Sequence, residues 1–72
     1  MKITYDQEAD AMYIELQKAE VAKTKKIDEN TLLDFDKKGK VIGIEILFVK
    51  ERVPQLLKEV KVENLPTMQQ TI

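Results

Sequence analysis

Residues 31–48, TLLDFDKKGKVIGIEILF, decide the fold because they specify a β-hairpin on their own. Two apolar runs flank the connection 36–39, whose Gly39 can adopt the left-handed backbone that tight hairpin loops need. The second run alternates in a simple way: Ile42, Ile44, Ile46 and Phe48 point one way, and Val41, Gly43, Glu45 and Leu47 point the other. Both faces are largely apolar, which predicts a central strand covered on two sides.

Three more strands are predicted upstream of this hairpin. Residues 2–6 alternate polar and apolar, and Met12, Ile14 and Leu16 alternate with their neighbours after a polar turn at 6–10. Residues 21–28 are rich in lysine with β-branched residues between, which is typical of an exposed edge strand protected from unwanted pairing. The sequence therefore predicts a single antiparallel sheet of four to five strands.

One helix is predicted downstream, from about residue 49 to 62. Its apolar residues recur at helical spacing, and Pro54 is acceptable if it lies in the first turn. We expect this C-terminal helix to pack on one face of the sheet, which gives an α+β domain over residues 1–62. Residues 63–72 have no periodicity and form a tail that is either disordered or docks elsewhere.

Composition limits the chemistry that this chain can carry. The 72 residues include no cysteine and no histidine. Disulfides, thiolate-bound metals, a cysteine nucleophile and a histidine base are therefore excluded, and we expect no metal and no cofactor. Because a chain this short builds a thin core, association with another subunit is the remaining means of stabilisation.

Net charge and hydropathy indicate the cellular location and the classes of partner that we expect. Its formal net charge is −1, which provides no bulk attraction to nucleic acid or to an anionic membrane. The longest apolar stretch is a few residues, and the first residues lack the apolar core of a signal peptide. We therefore expect a cytoplasmic protein that binds no membrane. Nucleic-acid binding through Lys23, Lys25 and Lys26 is a third, less favoured function.

Two stretches resemble a known family. They are 5–16, YDQEADAMYIEL, and 36–47, DKKGKVIGIEIL, and together they resemble the bacterial domain-of-unknown-function family 2283. The chain departs from the family pattern at Lys25 and Lys26, where the family is often partly acidic, and in its longer tail after Phe48. The family has no agreed activity. The resemblance implies the fold and, because some members look like neighbours of small toxin-like proteins, an antitoxin-like partner role.

Two carboxylates interrupt otherwise apolar strands and form the one catalytic hypothesis. Glu15 and Glu45 could share a sheet face as an acid/base pair, with Tyr13 beside them. A small-ligand binder or carboxylate-dependent enzyme is therefore the alternative function. Against it, chemistry on two carboxylates needs a cleft, and a domain with one helix provides little depth for one.

The favoured hypothesis is a non-catalytic protein-interaction module that forms a homodimer. If the helix covers one sheet face, the apolar residues Val41 and Leu47 on the other face need a cover from a tail, a twin subunit or another protein. A protein encoded by a neighbouring gene is the second expected partner. The interaction candidates are Tyr13, Glu15, Val41, Glu45 and Leu47.

Overall fold

The computed structural model describes residues 1–67, which contain one five-stranded antiparallel sheet. The strands are β1 (Lys2–Asp6), β2 (Ala11–Glu15), β3 (Lys23–Asp28), β4 (Thr31–Phe35) and β5 (Val41–Leu47). Their order across the sheet is β1-β2-β5-β4-β3. The predicted single antiparallel sheet is confirmed, with β5 at its centre and the lysine-rich β3 at one edge.

Local hydrogen bonds explain where the first and the last of the three hairpins turn. In the loop between β4 and β5, the Asp36 carboxylate accepts the backbone N–H groups of Lys38 and Lys40, both at 2.9 Å. Gly39 has a φ of 84°, the left-handed conformation expected from its position. In the first hairpin, Asp6 accepts the N–H groups of residues 8 and 9 at 3.0 and 3.2 Å. Each turn thus begins at an aspartate that replaces missing backbone partners.

The register of the strands separates two faces, because residues paired across an antiparallel sheet point the same way. We name the first the polar face; it carries Lys2, Thr4, Tyr13, Glu15, Thr24, Lys26, Leu32, Asp34, Gly43, Glu45 and Leu47. We name the second the aliphatic face; it carries Ile3, Tyr5, Met12, Ile14, Lys23, Lys25, Asp28, Thr31, Leu33, Phe35, Ile44 and Ile46. The two faces of the sheet therefore differ in chemistry: one carries most of the polar side chains and the other most of the aliphatic ones.

A register shift occurs at the start of β5, where this strand pairs with the end of β4. Asp34 pairs with Gly43, but its neighbour Phe35 pairs with Val41, so Ile42 is an extra residue on the β5 side. Such a bulge bends the strand and breaks the simple alternation of faces. Val41 therefore does not share the register that relates Leu47 to the rest of the polar face.

The C-terminal helix is much shorter than the sequence predicts. Helix α1 is four residues long, Val49–Arg52, and a 3₁₀ turn follows at Pro54–Leu57. Val53, between them, has φ −138° and ψ 57°, outside the helical region. A proline disfavours helical geometry in the residue before it and lacks the N–H that a helix interior needs, so the predicted helix over 49–62 was wrong beyond its first turn.

The remaining expectations for the C-terminal part stay predictions. Residues 58–67 have no helix or strand, and the predicted tail 63–72 lies partly outside the described residues. Packing of the helix on one sheet face, and the domain boundary at residue 62, also remain predictions.

The core is small, as expected for this length. Among residues 1–67, four apolar residues are buried: Ala11, Met12, Ile42 and Val49. Most other strand residues of the inner strands are half-buried. The described residues thus build one layer of structure where a stable domain ordinarily has two.

Candidate functional site

Tyr13 lies across the sheet on the polar face and defines its centre. Its strand β2 neighbours β5, and beyond β5 lies β4. The Tyr13 hydroxyl passes over Gly43 of β5 and donates a hydrogen bond to Asp34 Oδ2 on β4 at 2.8 Å. A Cβ added at Gly43 would overlap that hydroxyl, so glycine is the residue that lets the tyrosine cross.

Asp34 also accepts a hydrogen bond from a residue on the edge strand β3. Thr24 Oγ1 on β3 donates to the other oxygen, Asp34 Oδ1, at 2.6 Å. Burial and then the hydrogen bond to Asp34 raise the pKa of Tyr13 to about 12. Hydrogen bonds from Tyr13 and Thr24 to Asp34 therefore join strands β2, β3 and β4 through their side chains. They hold the tyrosine as a neutral donor.

The structure brings four of the five predicted interaction residues onto one face. Tyr13 pairs with Glu45, Glu15 pairs with Gly43, and Leu47 pairs with Ala11. Glu15 and Glu45 are thus diagonal neighbours on adjacent strands, and both are half-buried. The fifth residue, Val41, lies past the bulge opposite Phe35. Sequence reasoning did not find Asp34 and Thr24, because only the register of β3, β4 and β5 places them beside Tyr13.

Neither of two open depressions on the described part of the surface is lined by Tyr13, Glu15 or Glu45. The larger, about 580 Å³, lies at the hairpin loop 36–40 beside residues 17–20. The other, about 460 Å³, lies between that loop and β3. Lysines line both, at positions 23, 25, 37, 38 and 40. The carboxylate pair of the catalytic hypothesis is therefore outside both depressions.

A second cluster of contacts joins the first hairpin to helix α1. Asp10 has a φ of 52° and accepts the Tyr5 hydroxyl through Oδ1 at 2.7 Å. Its carboxylate also accepts the Lys50 backbone N–H, at 3.1 Å to each oxygen, and its carbonyl accepts the Val49 N–H at 3.2 Å. Phe48, the residue before α1, makes no side-chain cap. Asp10 thus caps a helix that begins some forty positions later in the chain.

Asp10 also shifts the pKa of Tyr5, whose hydroxyl donates a hydrogen bond to it. The hydrogen bond to Asp10, followed by desolvation and the charges of Asp10 and Asp6, raises the pKa of Tyr5 to about 12. In the acidic segment 6–10, Asp6 therefore stabilises the turn and Asp10 caps helix α1. Among the described residues, no group of three or more carboxylates is arranged to hold a metal ion.

The aliphatic face carries a row of apolar side chains that stays partly exposed. A straight row crosses four strands through the pairs Ile3–Ile14, Ile14–Ile44 and Ile44–Leu33. Ile3 is 43 % exposed and the other three are half-buried. Ile46, next along β5, is also half-buried, so the described segments leave the centre of this face in contact with water.

Comparison with known proteins gives one match. The family described as "Protein of unknown function (DUF2283)" matches residues 2–50. No curated protein and no solved structure matches the chain. The matched range holds all five strands, including the Tyr13–Gly43 crossing and the Asp10 junction. Within residues 1–67, no helix has the length and apolar character needed to cross a membrane.

Proposed function

The chain belongs to the DUF2283 family, and from the geometry of its sheet we propose that it is a non-catalytic protein-interaction module. The observation that carries the proposal is a single layer of sheet whose aliphatic face stays partly exposed. Sheets are stable when each apolar face is buried against another element. Helix α1 cannot supply that element by its size, because four helical residues span only about 6 Å.

The surface area supports the same conclusion. The chain exposes 6263 Å², whereas a compact monomer of this length exposes about 4,600 Å². Its radius of gyration is 14.3 Å, against roughly 11 Å for a compact domain of this length. Residues 58–67, all exposed and without helix or strand, contribute to the difference. A protein partner would remove such surface from water.

The polar face supports a structural role for the residues of the catalytic hypothesis. The Tyr13 hydroxyl already donates a hydrogen bond to Asp34, and its raised pKa keeps it neutral well beyond pH 10. Glu15 and Glu45 lie outside both depressions, so a substrate bound there would remain in contact with bulk water. Electrostatic catalysis depends on exclusion of water, which an open sheet face does not provide.

The proposal includes two protein partners. The first is a second copy of the chain, which would form a homodimer. The second is the protein encoded next to it, which would be covered by this chain in an antitoxin-like way. This second part rests on the family resemblance, whereas the first rests on the exposed face.

Light scattering over a concentration series tests the proposal. The purified chain is measured alone and then mixed with the neighbouring gene product. A mass that doubles with concentration, or a stoichiometric complex in the mixture, supports an interaction module. A monomer at every concentration that also ignores the neighbour would contradict it and return attention to Glu15 and Glu45.

A further inference from the structure

We infer that the aliphatic face is covered by the same face of a second copy, so that two single-layer sheets form one two-layer sandwich. This inference rests on the proposed function and specifies its surface and its partner. Packed sheets lie about 10 Å apart with their side chains interdigitated. The row Ile3–Ile14–Ile44–Leu33 would lie at the centre of that interface.

The area available fits a stable dimer. A standard interface buries about 800 Å² on each partner. The chain exposes 6263 Å², so an interface of that size would cover about one eighth of its surface. The five strands, about 4.8 Å apart, give the sheet a width of roughly 20 Å, and its strands of five to seven residues are about 17–23 Å long.

The distribution of charge on this face favours a second copy over a charged partner. Its paired positions carry charged side chains only on β3, where Lys23, Lys25 and Asp28 pair with residues of β4. The strands β1, β2 and β5 contribute uncharged side chains to it. An uncharged centre with charges at one margin is the pattern of homodimer interfaces, whose cores are more apolar than those of transient complexes. Lysines at a margin can also keep their charged ends in water.

A rival arrangement would join two copies along a sheet edge. The edge β3 opposes this, because antiparallel self-pairing about its centre places lysine opposite lysine. The edge β1 allows it: pairing about Thr4 would set Lys2 opposite Asp6 and Ile3 opposite Tyr5 of the other copy. Such a dimer would leave the aliphatic face exposed, so we treat it as the competing outcome.

Adjacent leucines on β4 provide a matched test. Leu33 pairs with Ile44 on the aliphatic face, and Leu32 pairs with Glu45 on the polar face; both are half-buried. The substitutions Leu33→Thr and Leu32→Thr remove the same apolar volume and keep a residue suited to a strand. A symmetric dimer loses the contact twice, so Leu33→Thr should weaken the dimer roughly thirty-fold. Leu32→Thr should change the dissociation constant less than three-fold.

Sedimentation equilibrium of the full chain measures these constants, with circular dichroism and urea midpoints recorded for each variant. Leu33→Met, which nearly conserves volume, should dimerise normally and guards against loss of dimer through misfolding. Lys2→Glu tests the rival edge. Selective weakening by Leu33→Thr supports the inference. Equal effects of both threonine variants, or weakening by Lys2→Glu alone, would overturn it and leave the proposed function standing. A monomeric wild-type chain would overturn both the inference and the homodimer.

Discussion

Tyr13 crosses Gly43 so closely that the sheet has room for its hydroxyl only because residue 43 has no side chain. The crossing ends in the hydrogen bond to Asp34 at 2.8 Å. It also connects the two stretches that carry the family resemblance, since Tyr13 belongs to the first and Gly43 to the second. These two motifs are therefore two halves of one packing arrangement, which gives them a structural reason to occur together.

Gly43→Ala should destabilise the fold. The new methyl group displaces the Tyr13 ring and breaks its bond to Asp34, which we expect to cost roughly 1–3 kcal/mol in the free energy of unfolding. The same change in a Tyr13→Ala background meets no ring. There it should be neutral or stabilise the strand by about 0.5–1 kcal/mol, because alanine restricts the unfolded chain more than glycine does. Urea unfolding of the four proteins measures this coupling.

Stability should fall at high pH. The pKa values of Tyr5 and Tyr13 are each about 12 in the folded chain, against about 10 when unfolded. Because both are raised, the stability they contribute is fully present below pH of about 10 and is lost as the pH rises through 12. Ultraviolet titration of the folded chain should show late tyrosinate formation, and Tyr13→Phe should leave one late-titrating group. Tyrosinate forming near the ordinary pH in the folded chain would refute the two hydrogen bonds.

Substitutions at Asp10 should distinguish the stability contributed by its helix cap from the cost of its left-handed backbone conformation. Asp10→Asn keeps an oxygen acceptor and tolerates the positive φ, so we expect a loss under about 1 kcal/mol. Asp10→Gly removes the cap and the contact with Tyr5 but relaxes the backbone. Asp10→Ala loses the cap and keeps the strain, so it should be the least stable, by about 1–3 kcal/mol. Thermal or urea unfolding gives the order; alanine ranking above glycine would contradict a left-handed Asp10.

Acid should weaken the turns. The N–H of Lys40, and after it that of Lys38, lowers the pKa of Asp36, and the N–H of Asn30 does the same for Asp28. A depressed carboxyl pKa contributes stability that is present above the unfolded value of about 4 and is lost as the pH falls through the folded value. The urea midpoint should therefore drop as the pH falls below about 5, and should continue to drop below pH 4. The drop should be smaller in Asp36→Asn, and an unchanged drop would remove Asp36 from its cause.

The sheet could be predicted because its signals are local. Alternation in 31–48 and the glycine at position 39 specify a hairpin within one stretch of chain, and the lysines of 21–28 mark an edge. The helix could not be placed correctly, because apolar spacing alone does not register what Pro54 does to Val53. Sequence-level periodicity predicted one long element where backbone sterics allow a single turn.

The candidate site was harder to predict, because its contacts join distant parts of the chain. Tyr13 and Asp34 are 21 positions apart, and Asp10 and Lys50 are 40 apart. Glu15 and Glu45 were predicted to share a face, and the register places them there. The aliphatic face was expected to lie under a helix. Since that helix is one turn long, the face that carries Ile44 stays partly exposed, as does the opposite face that carries Leu47.

Thiol labelling at Leu33 tests the central claim most directly. The chain has no cysteine, so Leu33→Cys and Leu32→Cys each introduce one thiol, on the aliphatic and the polar face respectively. Labelling rates are measured across the concentration range in which the mass doubles. A buried aliphatic face predicts that the Leu33→Cys thiol reacts progressively more slowly as dimer forms, while the Leu32→Cys thiol reacts at a constant rate. A constant rate at position 33, with or without protection at position 32, would contradict the account.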